Sequence, residues 1–200
     1  MARIVVDYYF APQSPWTYLG HQRFQDIARL AQAEIRVRPV DLGKIFPLTG
    51  GLPLPQRAPA RQAYRLVELR RWAGALGLPL HLHPAFFPVP GDAASRLILA
   101  VDAAHGADAA MDLSGRVLRA VWAEQRNIND APTLAALLAE AGLPGSALAT
   151  AATPAVQQRY EEVTQQALQA GVFGAPSYVV DGELFWGQDR LDFLRRRLQA

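Results

Sequence analysis

Strand-forming sequence lies at the two ends of this 200-residue chain. Near the N-terminus, β-branched and aromatic residues fill 3–10, and a second alternating run covers 34–40, with a helical pattern between them. Near the C-terminus, two short runs within 176–186 flank Asp181-Gly182, a pair typical of tight hairpin turns. A strand–helix–strand unit gives parallel strands, and a hairpin gives antiparallel ones. We therefore predict a mixed α/β sheet assembled from both ends of the chain.

The middle of the chain has a different pattern. Residues 43–58 are rich in Gly and Pro, which predicts a long loop. From about 59 to 168 the apolar residues recur at helical spacing. We therefore predict two domains: a discontinuous one of residues 1–42 and 169–200, and an all-helical insertion of residues 43–168.

Composition excludes several functions. The chain has no cysteine, so it supplies no disulfide, thiolate nucleophile, zinc–cysteine site or iron–sulfur cluster. Twenty Lys and Arg against eighteen Asp and Glu give a net charge of +2, too small to indicate nucleic acid or a membrane surface as partner. No apolar run approaches the length of a membrane span, and the N-terminus does not read as a signal peptide. We expect a soluble, cytoplasmic protein.

A metal site is the weaker interpretation of the one histidine pair. His81 and His83 have the spacing of a strand that could place both rings on one side, but no third ligand is evident nearby. We therefore predict no metal.

The order of the elements places a candidate site at Ser14-Pro15. Serine followed by proline is typical of a helix start, and Ala175-Pro176 precedes the third strand. This βαβ…ββα order is the thioredoxin arrangement, in which the first helix starts opposite a proline that is usually cis. We predict a thioredoxin-like fold with a large helical insertion, in which Ser14-Pro15-Trp16-Thr17 occupies the position of the redox Cys-x-x-Cys motif.

Without cysteine, only the electrostatic part of such a site remains. The positive end of a helix stabilises an anion by about 0.3–1 kcal/mol, and a serine hydroxyl can donate to a thiolate that a ligand brings. Taken alone, Ser14 reads more simply as a helix cap and Pro176 as an ordinary strand-entry proline. Their combination in this order favours a site.

Two long segments carry a resemblance to a known family. FAPQSPWTYLG at 10–20 and GVFGAPSYVVDGELFWGQDRLDFL at 171–194 resemble the 2-hydroxychromene-2-carboxylate isomerases. These enzymes are relatives of the kappa-class glutathione transferases and, more distantly, of periplasmic disulfide oxidoreductases. RLVELRRWAGALGLPL at 65–80 and AVWAEQRNI at 120–128 also fit, so the resemblance covers essentially the whole chain.

The resemblance implies glutathione as the cofactor. Ser14 then corresponds to the catalytic serine beside the glutathione sulfur, and Ala175, just before Pro176, pairs with the main chain of the tripeptide. The segment that holds the glutamyl end corresponds to Trp186, Gly187, Gln188 and Asp189. Asp189 can also be read as the cap of the last helix.

The implied reaction is the reversible conversion of a 2-hydroxychromene-2-carboxylate into trans-o-hydroxybenzylidenepyruvate. Such a substrate carries a carboxylate, and here the chain departs from the family, because the usual Phe-Lys pair reads Phe46-Pro47. Lys44, the only lysine, substitutes for it or is a solvated loop charge. Gln56 and Arg57 match substrate-contacting positions of the family, and Arg57 offers a bidentate fork to a carboxylate.

Two other functions stay open from the sequence. One is a kappa-type glutathione transferase, which would consume glutathione, and the other is a non-catalytic thioredoxin-like binding protein. A different aromatic oxo-acid is a further alternative for the substrate. The resemblance also implies a homodimer.

Overall fold

The computed structural model describes residues 3–199, and residues 1, 2 and 200 of the predicted first domain lie outside this range. The four strands are β1 Val5–Phe10, β2 Glu34–Pro39, β3 Ser177–Val180 and β4 Glu183–Trp186. The α-helices are α1 Pro15–Leu30, α2 Leu42–Thr49, α3 Pro59–Leu76, α4 Asp92–His105, α5 Ala107–Trp122, α6 Ala131–Glu140, α7 Ala147–Ala151, α8 Pro154–Gln169 and α9 Leu191–Leu198. Short 3₁₀ turns cover Leu54–Gln56 and Gln188–Arg190.

The strands form one mixed sheet in the order β2-β1-β3-β4. β1 and β2 are parallel, β3 runs antiparallel to β1 with Ser177 opposite Tyr9, and β4 closes the hairpin with β3. The N-terminal βαβ unit and the C-terminal ββα unit therefore meet at the β1–β3 pair. The mixed α/β sheet predicted from the two ends of the chain is confirmed.

An aromatic layer fixes α1 against the sheet. Tyr8 on β1 stacks on Tyr178 of β3 with ring centroids 5.4 Å apart, and Phe24 of α1 lies 4.6 Å from the Tyr8 ring. His21 of α1 is also buried; its Nδ1 lies 3.2 Å from the Tyr8 hydroxyl and its Nε2 lies 3.0 Å from the Met111 carbonyl oxygen on α5. These contacts link sheet, first helix and insertion, so the start of α1 has a defined place.

The loop predicted for residues 43–58 is partly wrong, because α2 occupies Leu42–Thr49. Asp41 caps this helix by accepting from the backbone N–H of Gly43 and of Lys44. Ile45 is fully buried and anchors the helix to the core, while Pro47 lies inside the helix. Capping and burial outweigh the lost hydrogen bond at Pro47, which local sequence reading takes as a helix breaker.

The helical pattern predicted over 59–168 is interrupted at 77–91. Gly77 has a φ of +64° and ends α3, and α4 begins only at Asp92. His81 and His83 are exposed in this irregular segment, so the strand spacing predicted for them is wrong. Within residues 3–199, no three His, Asp or Glu side chains are grouped as a metal site would require.

None of the helices in residues 3–199 is long and apolar enough to cross a bilayer.

Gly20 lies where the backbone of α1 comes close to the C-terminal segment. A Cβ at Gly20 would lie 2.7 Å from Gln188 Cβ and 3.2 Å from the Tyr178 hydroxyl. We expect Gly20→Ala to destabilise the protein by about 1–3 kcal/mol through overpacking. Gly74→Ala on α3 is the matched control: its Cβ would meet nothing within 4 Å, so helix propensity should stabilise the protein by up to about 1 kcal/mol. Urea unfolding measures both, and equal effects of the two variants would contradict the close approach.

Candidate active site

Ser14 is the N-cap of α1, as the sequence predicts. Its backbone N–H donates to the Ala11 carbonyl at 2.9 Å, which turns the chain after β1, and its Oγ accepts from the Thr17 N–H at 3.2 Å. Pro15 supplies no N–H, so capping and proline together set the helix start. Ser14 is 8% exposed as a residue, and its Oγ uses a lone pair for the cap. Its O–H proton is left for a ligand.

Pro176 lies at the same end of the sheet as Ser14. The Ala175–Pro176 peptide bond is cis, and Ser177 is the next residue, opposite Tyr9. That end of β1 leads directly through Ala11 to Ser14. Ala175 precedes the paired part of β3, and within residues 3–199 its backbone N–H and C=O bond to no other backbone group. The predicted thiol site and the predicted main-chain site therefore lie at one edge of the sheet, the edge at which β1 ends and β3 begins.

Gly187 ties the end of the hairpin to this edge. Its N–H donates to the Pro176 carbonyl at 2.9 Å, and its φ of +99° lies in the region that favours glycine. A Cβ there would also collide with the Asp189 carboxylate. Trp186 is half-exposed, and its ring packs 4.8 Å from that of Phe173.

Gln188 and Asp189 have different surroundings. The Gln188 side chain is 2% exposed, and its Oε1 accepts from Arg23 of α1 at 2.9 Å. The Asp189 carboxylate is exposed and pairs with Arg190 at 2.7 Å. Interpreting Asp189 as the cap of the last helix is wrong, because α9 begins at Leu191 with Arg190 at the N-cap position and no side-chain cap bond. Asp189 instead places a carboxylate at the surface, where its partner Arg190 is also exposed.

The three predicted substrate residues lie in two environments. Lys44 turns to α8, where its Nζ is 3.6 Å from Glu161 Oε1 in an exposed pair. Gln56 is exposed and adjoins Arg57 in the segment before α3. The Arg57 Nε donates to the Leu52 carbonyl at 2.8 Å.

No carboxylate within residues 3–199 forms an ion pair with Arg57. Its guanidinium lies 6.0 Å from the ring centroid of Phe46, a cation–π contact. Burial lowers the pKa of Arg57, and the nearby charge of Arg61 lowers it further. This arginine and aromatic pair suits an aromatic anion.

Sequence reasoning missed two residues beside the site. The Gln13 amide oxygen, next to Ser14, is buried without a hydrogen-bond partner in the described part of the chain and contacts Gly91. Phe173, which is 40% exposed, packs at a tilt against the Trp186 ring near the cis proline. Gln13 directly precedes Ser14 in the sequence, and Phe173 lies two positions before Ala175; the sequence carries no stronger signal for either residue.

A thioredoxin-like sheet with a serine cap in the dithiol position and a cis proline beside it defines a thioredoxin-fold protein without redox cysteines. A family model described as DSBA-like thioredoxin domain matches residues 5–199. The chain belongs to this family and, within it, to the group of the 2-hydroxychromene-2-carboxylate isomerases. The predicted thioredoxin-like α/β fold with its helical insertion is confirmed.

Individual relatives make the assignment specific. A 2-hydroxychromene-2-carboxylate isomerase from Sphingobium xenophagum is 33% identical over 195 residues, covering 96% of this chain and 97% of that protein. A solved structure of a 2-hydroxychromene-2-carboxylate isomerase superposes with a TM-score of 0.79 at 30% identity, covering 98% of this chain and 94% of the other. Glutathione S-transferase kappa 1 of Rattus norvegicus is 22% identical over 201 residues, covering 95% and 88% of the two chains. The relatives support an isomerase enzyme.

Proposed function

We propose that this protein is a glutathione-dependent isomerase that interconverts 2-hydroxychromene-2-carboxylate and trans-o-hydroxybenzylidenepyruvate, or a related aromatic oxo-acid. The observation that carries the proposal is the position of the Ser14 hydroxyl, at the start of α1 and at the same sheet edge as cis-Pro176. The names of the isomerase relatives support the substrate class. The name of the more distant rat transferase supports glutathione.

The residues at this edge fit a glutathione molecule. The backbone N–H and C=O of Ala175, which have no backbone partner within residues 3–199, suit main-chain pairing with an extended tripeptide. The exposed Asp189 carboxylate suits the ammonium of the glutamyl end, and Trp186 offers an apolar wall. Ser14 would then lie at the sulfur end.

Bound glutathione would supply a thiolate able to add reversibly to the conjugated carbon of the opened enone, with the electron pair of the double bond passing to the carbonyl oxygen and returning when the thiolate leaves; rotation about that carbon–carbon bond would be possible in between. Ser14 donates its hydroxyl proton in a hydrogen bond to the sulfur, while its oxygen keeps the cap bond to Thr17. The N-terminus of α1 adds its positive end to the same point. Both interactions lower the pKa of the thiol and so increase the attacking fraction at neutral pH. The reaction involves no net redox change, in agreement with a chain that has no cysteine.

Arg57 and Gln56 are proposed to meet the polar end of the substrate. The guanidinium of Arg57 beside Phe46 offers charge and a flat apolar surface together. Lys44 is proposed as a further cation, which requires it to exchange its exposed pair with Glu161 for the substrate. Such an exposed pair is worth at most about 1 kcal/mol, so this exchange costs little. A homodimer, which the resemblance implies, and a cytoplasmic location stay predictions.

A count of thiols during turnover tests the function. We expect absorbance changes with chromene-derived carboxylates only when glutathione is present, while free thiol stays constant over many turnovers. One thiol lost per turnover would identify the transferase alternative. If there is no turnover, and if glutathione also fails to raise the melting temperature, the non-catalytic binding protein is favoured. A ligand that binds the folded state must stabilise it, so an unchanged melting temperature means that glutathione does not bind.

A further inference from the structure

The partly buried Arg65 of α3 packs its guanidinium against a pair of aromatic rings that touch each other. Its guanidinium carbon lies 5.4 Å from the ring centroid of Phe87 and 5.7 Å from that of Trp122. Trp122 is fully buried at the end of α5, whereas Phe87 is partly exposed in the segment between α3 and α4. The two ring centroids are 4.7 Å apart, so the rings form one aromatic surface, and the cation–π contacts with it favour one position of the guanidinium.

The described part of the chain places no acidic partner beside the Arg65 guanidinium. Across residues 3–199, no carboxylate oxygen comes within 4.0 Å of this guanidinium. Burial, and after it the charge of Arg57, lowers the pKa of Arg65 to about 10. The charge of Arg61 thus acts on Arg57, and that of Arg57 acts on Arg65. A half-buried cation without a counter-ion is costly unless an anion joins it.

Two links connect this arginine with the start of α1. The Tyr18 hydroxyl, in the first turn after Ser14, donates to the Pro79 carbonyl at 2.7 Å, and the His81 N–H donates to the Trp122 carbonyl at 2.8 Å. The segment carrying Phe87 also runs on to Gly91, whose backbone contacts the side chain of Gln13. The wall that holds Arg65 therefore packs against the element that carries the serine.

We propose that Arg65 binds the carboxylate of the aromatic acid substrate, with Arg57 as the second cation of the same anion site. This assignment rests on the proposed function. It also supplies a cation for the substrate carboxylate in a chain that has Phe46-Pro47 in place of a Phe-Lys pair. A guanidinium can hold a carboxylate through two parallel hydrogen bonds, which a single ammonium cannot do. The contact with Phe87 and Trp122 fixes the fork in advance, so less rotamer freedom is lost when the acid binds.

Binding of an unreactive pair of ligands tests the assignment. We would titrate trans-cinnamate and its neutral analogue trans-cinnamamide into the full chain, each with and without saturating glutathione. For the unmodified protein we expect the carboxylate to bind about 10- to 100-fold more tightly than the amide, as charge-assisted hydrogen bonds require. Arg65→Gln should remove most of this preference, while Arg70→Gln, an exposed arginine of the same helix, should keep it.

The preference is a ratio within one variant, so loss of folded protein does not imitate the result. If Arg65→Gln does not fold, Arg65→Leu and Arg65→Lys replace it: the leucine variant should lose the preference and the lysine variant should keep part of it. An unchanged preference in a variant without the cation, or no preference in the unmodified protein, overturns the assignment. A purely structural arginine would change the melting temperature and leave the ratio intact. Failure of glutathione to bind would instead overturn the proposed function. The two failures can be distinguished, because cinnamate binding is also measured without glutathione.

Discussion

Ser14→Ala is expected to lower turnover by about 10- to 100-fold while glutathione still binds. A hydrogen bond to a charged group is worth roughly 1.5–3 kcal/mol, and each 1.36 kcal/mol changes a rate tenfold. The same loss should raise the thiol pKa of bound glutathione by about one to two units. Thiolate absorbance measured against pH, with and without the hydroxyl, determines this shift.

The same substitution also removes the cap of α1, so stability needs a matched control. Losing the bond from Thr17 should cost about 0.5–2 kcal/mol. Asp130→Ala removes an equivalent cap from α6, where the Asp130 carboxylate accepts from the Thr133 N–H at 3.1 Å. We expect that variant to lose similar stability with unchanged turnover. If Ser14→Ala kept both the normal rate and the normal thiol pKa, the serine would be a cap and nothing more.

The fold could be predicted from the sequence where local and tertiary preferences agree. The hairpin around Asp181-Gly182 and the Ser14-Pro15 helix start carry strong local signals, and both lie where the sequence predicts. α2 could not be predicted in this way, because Pro47 argues against a helix locally while burial of Ile45 is visible only in the assembled core. Gly77 is predicted to end a helix and does end α3, but the helical pattern predicted over 59–168 is too broad, because the four prolines within 77–91 exclude a helix there.

The candidate site divides along the same line. Ser14 and Pro176 are recognisable because element order alone brings a helix start and a strand entry to one edge of a sheet. Arg65 lies in a helix with ordinary polar spacing, so the sequence does not single it out. Only the fold shows that its guanidinium packs against two rings that are distant in sequence. Lys44 shows the converse. The sequence offers it as a cation for the substrate, but in the fold its Nζ lies beside Glu161 on α8.

Acid should destabilise the protein through His21. Burial lowers the pKa of this histidine to about 4, from an unfolded value of 6.5, although the Met111 carbonyl and the charge of Asp112 act in the opposite direction. Below pH 6.5 the unfolded chain binds a proton that the folded chain does not bind until about pH 4. The contribution of neutral His21 to the free energy of unfolding is therefore complete above pH 6.5. It is lost as the pH falls towards 4, by about 3 kcal/mol. That is a large part of the roughly 5–15 kcal/mol by which domains are stable.

Urea unfolding at a series of pH values measures this loss, and a variant isolates its source. His21→Gln keeps a polar side chain near Tyr8 and the Met111 carbonyl but cannot take up the proton, so its stability should fall less steeply between pH 6.5 and 4. Burial raises the pKa of Asp102, which acts in the opposite sense, but this carboxyl is present in both proteins and cancels in the difference. His105→Gln, at the exposed end of α4, should follow the unmodified curve. Equal pH dependence in His21→Gln and the unmodified protein would show that the buried imidazole is not the acid-sensitive group that links β1, α1 and α5.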